Sequence, residues 1–123
     1  MYKIAKRFKF DAAHRLEGLP EGHKCGNLHG HTYTVEVVLA ARDLDPKYQW
    51  VEDYGDLKPF KTFIDNNLDH KFLNNVPMLG QSTAENLAKY LFDIAEQMFR
   101  NRTASVWAVR VSETESTWAE YSR

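Results

Sequence analysis

The sequence predicts an α+β domain in the order ββααββ, an antiparallel four-stranded sheet with two helices packed on one face. Apolar residues recur at every second position over 2–14, 29–40 and 107–113, the period of half-buried strands. Between them, 57–68 and 84–98 space apolar residues three or four apart, the period of core-facing helices. No internal repeat, linker or low-complexity stretch divides the 123 residues, so 1–123 reads as a single domain.

Along Tyr2–His14 the even positions are Tyr2, Ile4, Lys6, Phe8, Phe10, Ala12 and His14, and the odd ones are mostly polar or charged, which gives a strand with one buried face. RLEGLPEGHKCGN, residues 15–27, carries three glycines and a proline without a period and reads as a loop. From His29 the odd positions His29, His31, Tyr33, Val35, Val37 and Leu39 alternate with Thr32, Thr34 and Glu36, a second strand ending near Ala40. RDLDPKYQW turns the chain. Asp53 or Asp56 then caps a helix whose stripe is Leu57, Phe60, Ile64 and Leu68, with Pro59 tolerated only in its first turn. LNNVPMLG breaks that helix, and Ser82-x-x-Glu85 has the spacing of a capping box for a second one carrying Leu87, Leu91, Ile94 and Met98. After a turn at 101–104, Trp107, Val109, Val111 and Glu113 alternate with Ala108, Arg110 and Ser112, and STWAEY supplies a short last strand.

Composition narrows the function classes. Hydrophobic residues make up 43% of the chain, which excludes a disordered one. No apolar run approaches the ~18 residues of a membrane helix. The N-terminal MYKIAKRFKF lacks the apolar core of a secretory signal, and the lone Cys25 cannot form an internal disulfide. Together these predict a soluble, cytoplasmic protein. A net charge of −1 lacks the global positive field of non-specific nucleic-acid binders, and Lys6, Arg7 and Lys9 read as a solvated strand edge.

Chemistry gathers at the strand ends. His29 and His31, two apart on a strand, leave the same face and extend its apolar row, as His14 extends the row of the first strand. If the two strands pair without a bulge, three imidazoles converge on the covered face of the sheet. Three neutral imidazoles suit zinc and leave its fourth position open for substrate, although separate hydrogen-bonded histidines fit the same pattern. Cys25, four residues before His29, is either a fourth ligand closing a structural Cys-His₃ site or a reactive thiol, since nearby positive charge favours thiolate. Asp69-His70 offers a carboxylate beside an imidazole, an acid–base arrangement if the two hydrogen-bond. Glu113 stands where the row predicts an apolar residue. A carboxylate there needs partners, either an arginine or the N–H groups of an amino-heterocycle.

Taken together, FDAAHRL, EGHKCGNLHGH, LDHKFLN, STAEN and VSETEST resemble the 6-pyruvoyl-tetrahydropterin synthase family over essentially the whole chain and in its order. The three-residue gap between Cys25 and His29 is similar to its bacterial 6-carboxy-5,6,7,8-tetrahydropterin synthase branch, since pyruvoyl-forming members have a longer gap. The resemblance implies the tunnelling fold, in which sheets of several subunits join into a barrel, a homo-hexamer built as a dimer of trimers, and active sites between subunits. It implies zinc on His14, His29 and His31, Cys25 as catalytic thiol, Asp69 and His70 as acid–base pair, Glu113 as pterin anchor and Thr83 beside it. The reaction implied is conversion of 7,8-dihydroneopterin triphosphate to 6-carboxy-5,6,7,8-tetrahydropterin, acetaldehyde and triphosphate, in queuosine (7-deazapurine) biosynthesis. Arg15, Lys24 and Lys71 flank the motifs as cations for the triphosphate. VSETEST departs from relatives that carry cysteines in this segment. The alternatives are the pyruvoyl-forming activity and a pterin- or zinc-binding module without turnover.

Overall fold

Alternation along the first two strands produces one long hairpin-like ladder. The computed structural model describes residues 1–123. In it β1 (Tyr2–His14) and β2 (His29–Ala41) pair antiparallel without a register shift from Tyr2↔Ala41 to His14↔His29. One face of this ladder buries Phe8, Phe10, Ala12 and His14 together with Tyr33, Val35, Val37 and Leu39. A slip of one residue by either strand would turn its apolar row to solvent, so burial fixes the register.

The helices cover that face. Asp53 Oδ1 accepts from the N–H of Gly55 at 2.9 Å and caps a 3₁₀ turn, Tyr54–Leu57, which leads into α1 (Lys58–Asn67) with Pro59 in the first turn. Leu57, Phe60, Ile64 and Leu68 are fully buried, as the predicted stripe requires. The cap of α2 (Ala84–Met98) is Thr83 and not Ser82: Thr83 Oγ1 accepts from the N–H of Asn86 at 3.2 Å. Ser82, one residue earlier, turns inward and is buried. Leu87 and Leu91 are fully buried, with Phe92 and Ala95 beside them, while Ile94 and Met98 pack half-buried at the margin. Truncating either leucine to alanine removes roughly 2–5 kcal/mol of stability.

The sheet has five strands and is mixed, where the sequence predicts four antiparallel ones. β3 (Lys71–Phe72) runs parallel to β1 at Ala12 and Ala13, and two residues are too short to show any period. β4 (Ser105–Ser112) pairs with β2 and β5 (Ala119–Ser122) with β4, giving the order β3-β1-β2-β4-β5. The register of β2 on β4 shifts between Val38 and Leu39, which pair with Ala108 and Val106. This bulge adds one residue to β4. Val106 therefore joins Val109 and Val111 in the core, and Trp107 turns to the other face, where Lys3 Nζ lies 4.1 Å from its ring centre. No helix is long and apolar enough to cross a membrane.

Candidate metal and catalytic site

The unbroken β1–β2 ladder places His14 directly opposite His29, with His31 one pleat further in, opposite Ala12. The three imidazoles pack edge to face, with ring centres 4.6 to 5.1 Å apart, and their ligand nitrogens lie within 4.8 Å of one another. Two of the tautomers follow from their partners. A carbonyl only accepts, so His14 Nδ1–H donates to the Ser82 carbonyl at 2.7 Å and His29 Nδ1–H donates to that of Asn27 at 2.6 Å. Their Nε2 atoms, which carry a bare lone pair wherever the ring is neutral, face one another at 3.0 Å. Two lone pairs at that distance repel unless a cation lies between them. A tetrahedral zinc with bonds of ~2.0–2.1 Å sets its nitrogen ligands roughly 3.4 Å apart, close to the observed spacing. The donor set, its neutral tautomers and its spacing fit a metal ion.

Burial supports the same protonation state. It lowers the pKa of His14 below the ordinary histidine value, against the opposing Ser82 hydrogen bond and Glu113 carboxylate, and it lowers that of His31, again against Glu113. Glu113 begins the turn after β4. Its Oε2 lies 3.4 Å from Nε2 of both His14 and His31, and its side chain remains 29% exposed. It is the histidines that face Glu113, and no arginine pairs with it. Beneath them Tyr33 lies edge-on to His14 and His31, with ring centres 5.9 and 5.4 Å away. Its hydroxyl is buried without a hydrogen-bond partner, and burial raises its pKa further above the tyrosine range.

Asp69 and His70 form a second cluster with Asp11, separate from the histidine trio. His70 has φ 59°, a left-handed conformation that bends its side chain back toward its neighbour, and its Nδ1 lies 3.0 Å from Asp69 Oδ2. The backbone is pinned to β1: the N–H of Asp11 donates to Asp69 Oδ1 at 3.0 Å, and the N–H of His70 donates to the Asp11 carbonyl at 2.6 Å. The Asp11 N–H first, and then His70, hold the Asp69 carboxyl below its ordinary range, while Asp69 raises the pKa of His70. The imidazole is 77% exposed at the β1–β3 edge. An open cleft of about 610 Å³ there is lined by His70, Lys71, His31 and Thr32 among others, so His70 and one member of the trio border the same space.

Cys25 sits half-buried in a 3₁₀ turn, Lys24–Gly26, and its thiol is outside the group of converging metal ligands. His23 Nδ1 accepts from its N–H at 3.1 Å, and its carbonyl accepts from the N–H of Leu16 at 2.9 Å. Lys24 is exposed on the same turn, Arg15 lines the groove along the loop, and Lys71 lines the cleft with His70. Thr83 spends its hydroxyl on the cap of α2.

Sequence reasoning missed Ser82, Asn74 and Gln81. Ser82 is 1% exposed, and both its carbonyl and its Oγ, at 3.2 Å, contact Nδ1 of His14. The capping-box spacing hid this role by assigning Ser82 to the helix. Asn74 and Gln81 bond the backbone of Arg15 and Glu17. No local pattern signals such a contact, because the partners are 59 and 64 residues away.

Comparison with known proteins identifies the family and the fold. The family model described as 6-pyruvoyl tetrahydropterin synthase matches residues 3–123. A Haemophilus influenzae protein named 6-carboxy-5,6,7,8-tetrahydropterin synthase is 32% identical, the match covering 98% of this chain and 99% of that one. One of the same name from Synechocystis sp. is 34% identical over 98% of this chain and 93% of its own. Among solved structures, the 6-pyruvoyl tetrahydropterin synthase of Caenorhabditis elegans superposes with a TM-score of 0.85 at 28% identity, covering 99% of this chain and 95% of the other. An uncharacterized protein from Wolinella succinogenes, 23% identical, shares the fold with a TM-score of 0.87 over 99% of this chain and 98% of its own. With a matching fold, full-length coverage and the three histidines at the strand ends, the chain belongs to the 6-pyruvoyl tetrahydropterin synthase family.

Proposed function

We propose that the protein is a zinc-dependent 6-carboxy-5,6,7,8-tetrahydropterin synthase of queuosine (7-deazapurine) biosynthesis, converting 7,8-dihydroneopterin triphosphate with release of acetaldehyde and triphosphate. The observation that carries this reading is the pair of bare Nε2 atoms of His14 and His29 held 3.0 Å apart with His31 beside them, a donor set matched to zinc in a chain similar to relatives of that name. Zinc bound there would act as a Lewis acid toward the oxygens of the substrate side chain.

The chain's own groups supply the proton chemistry and the orientation. Cys25 as thiolate takes a proton from the substrate side chain. Its place outside the converging ligands supports a base rather than a fourth ligand. His70, whose Nδ1 is occupied by Asp69, has Nε2 free to exchange protons. The raised pKa given by that carboxylate favours the imidazolium, the form that donates. Glu113 presents two carboxylate oxygens to the ring N–H and exocyclic amine of the pterin, and Thr83 is proposed as a substrate contact beside it. Arg15, Lys24 and Lys71 are cations for the triphosphate.

The active form is proposed to be a cytoplasmic homo-hexamer, a dimer of trimers, with sites between subunits. One sheet edge is the short β5, on the other β3 covers β1 only at Ala12 and Ala13, and the outer face carries an alternating row. Arg7 pairs with Glu36 at 2.8 Å, Arg110 lies 3.9 Å from Glu36, and Arg110 pairs with Glu120 at 2.7 Å. The row begins with a cation on β1 and ends with an anion on β5. Edges brought together would therefore continue the alternation.

The decisive experiment incubates the zinc-loaded protein with 7,8-dihydroneopterin triphosphate and identifies the products by mass spectrometry. Acetaldehyde with the 6-carboxy product supports the proposal; a 6-pyruvoyl product replaces it with the alternative synthase. Cys25→Ala should keep zinc and lose turnover by the ~10²–10⁴-fold attributed to general acid–base groups. Zinc lost in proportion to activity would instead favour the closed Cys-His₃ site.

A further inference from the structure

Beyond His14, where β1 ends, residues 15–17 have no strand as partner, and two side-chain amides bond their backbone instead. Asn74 Oδ1 accepts from the N–H of Arg15 at 3.0 Å, and Asn74 Nδ2 donates to the Arg15 carbonyl at 2.8 Å. Gln81 treats Glu17 alike: Oε1 accepts from its N–H at 3.1 Å, and Nε2 donates to its carbonyl at 2.8 Å. Each amide thus meets both backbone groups of one residue, as a neighbouring strand would. Leu16, held between the two, donates its N–H to the carbonyl of Cys25.

The rest of the thiol-bearing loop is tied mainly to itself. His23 N–H donates to Pro20, Gly26 N–H to His23 and Asn27 N–H to Lys24. Gly18 and Gly22 have φ of 75° and 84°, and a Cβ at either would meet nothing within 4 Å. The Leu16–Cys25 bond is therefore the backbone link from the turn to the end of β1, and it is only as rigid as residues 15–17. Asn74 reaches the metal side as well: its Oδ1 lies 3.4 Å from Ser82 Oγ, which contacts Nδ1 of His14.

We infer that Asn74 and Gln81 are positioning residues for the Cys25 thiol, clamping residues 15–17 so that the Leu16–Cys25 bond holds the turn in fixed relation to the histidine trio. The inference rests on the catalytic role proposed for Cys25. Gln81 is the cleaner probe, because its side chain touches neither a histidine nor Ser82 in the bonds described. Its own carbonyl, which accepts from Asn86 Nδ2 at 2.9 Å, survives substitution.

The test uses the full-length, zinc-loaded protein with Gln81→Met, which keeps length and loses the amide, and Gln81→Glu, which keeps the acceptor and loses the donor. Zinc content, kcat, KM, thermal midpoint and the rate of alkylation by iodoacetamide are measured; Cys25 is the only thiol, so intact mass reads its modification directly. Gln81→Met should keep its zinc and hold KM within about twofold while kcat falls about ten- to a hundredfold, the cost of displacing a reacting group by about 1 Å. Loss of two hydrogen bonds should populate the open loop more, so alkylation quickens about tenfold even as turnover slows. Gln81→Glu should fall between wild type and Gln81→Met in both. A lowered thermal midpoint with kcat and alkylation at wild-type values would show a purely structural staple and overturn the inference. If Cys25→Ala is fully active in the same assay, the thiol's proposed role falls. Alkylation of the Gln81 variants still decides whether the clamp holds the turn, and an unchanged rate overturns it.

Discussion

Replacing Glu113 by glutamine changes one oxygen to an amide while preserving shape, so it isolates what the carboxylate contributes. In the structure that carboxylate lies 3.4 Å from two imidazole nitrogens, beyond an ordinary hydrogen bond, and its side chain is 29% exposed. Three histidines remain without it, so Glu113→Gln should fold and bind about one zinc per chain. Binding of the pterin should suffer, because the amide turns one of its two acceptors into a donor facing a donor. Losing a hydrogen bond to a charged group costs roughly 1.5–3 kcal/mol. At about 1.4 kcal/mol per tenfold, the lower bound is about tenfold in affinity. Partial exposure favours that lower end, since water screens what the protein leaves open. Zinc analysis, calorimetric titration with an unreactive pterin and steady-state kinetics measure the three quantities. Unchanged pterin affinity with full zinc would assign Glu113 to the histidines alone; loss of zinc would make it part of the metal shell. Either result refutes the anchoring argument.

Three further outcomes follow from the same geometry. His29→Ala or His31→Ala should strip metal and activity together, whereas Ser82→Ala should lower zinc affinity less than about tenfold, because the Ser82 carbonyl that fixes the His14 tautomer stays in place; competition with a metal-sensitive chelator reads both. Tyr33→Phe removes a buried hydroxyl that has no partner, so the thermal midpoint should hold or rise, consistent with a penalty of about 1 kcal/mol or more for such a group. A marked fall would show that the hydroxyl is bonded. In the metal-free protein His14 and His31 have pKa values depressed by burial, so the unfolded chain binds more protons than the folded one below pH 6.5. Their contribution to stability is therefore complete above pH 6.5 and lost as pH falls through the lower folded values, which denaturant titrations from pH 8 to 5 would register.

The histidine trio was legible because its argument needed only parity and one strand pairing, and the β1–β2 ladder runs without a bulge from end to end. The same parity failed on β4, where the register shift opposite Val38 and Leu39 inserted Trp107 and sent Val106 to the core. Nothing in the local alternation distinguishes the two cases, since a bulge is set by how two strands fit together. Helix stripes were readable from spacing, yet the cap of α2 moved by one because Ser82 and Thr83 can both cap and Ser82 is instead turned toward His14. The two-residue β3 and the amide clamp on residues 15–17 rest wholly on contacts distant in sequence. The Asp69-His70 hydrogen bond depended on a left-handed backbone at a non-glycine residue, which composition does not announce.

The chain between His14 and His29 carries the thiol, while both of its ends belong to a ladder whose register is set by the alternation of thirteen residues in each strand. Lengthening the chain around Gly18 and Gly22 would move neither histidine, and doubling a loop's length adds only about 0.6 kcal/mol of closure entropy. Insertions there are thus nearly neutral for the histidine trio, and the Leu16–Cys25 bond closes the loop whatever its length. A lineage can vary what the loop presents above one unaltered set of histidines, with selection acting on the loop and the ladder as almost independent parts.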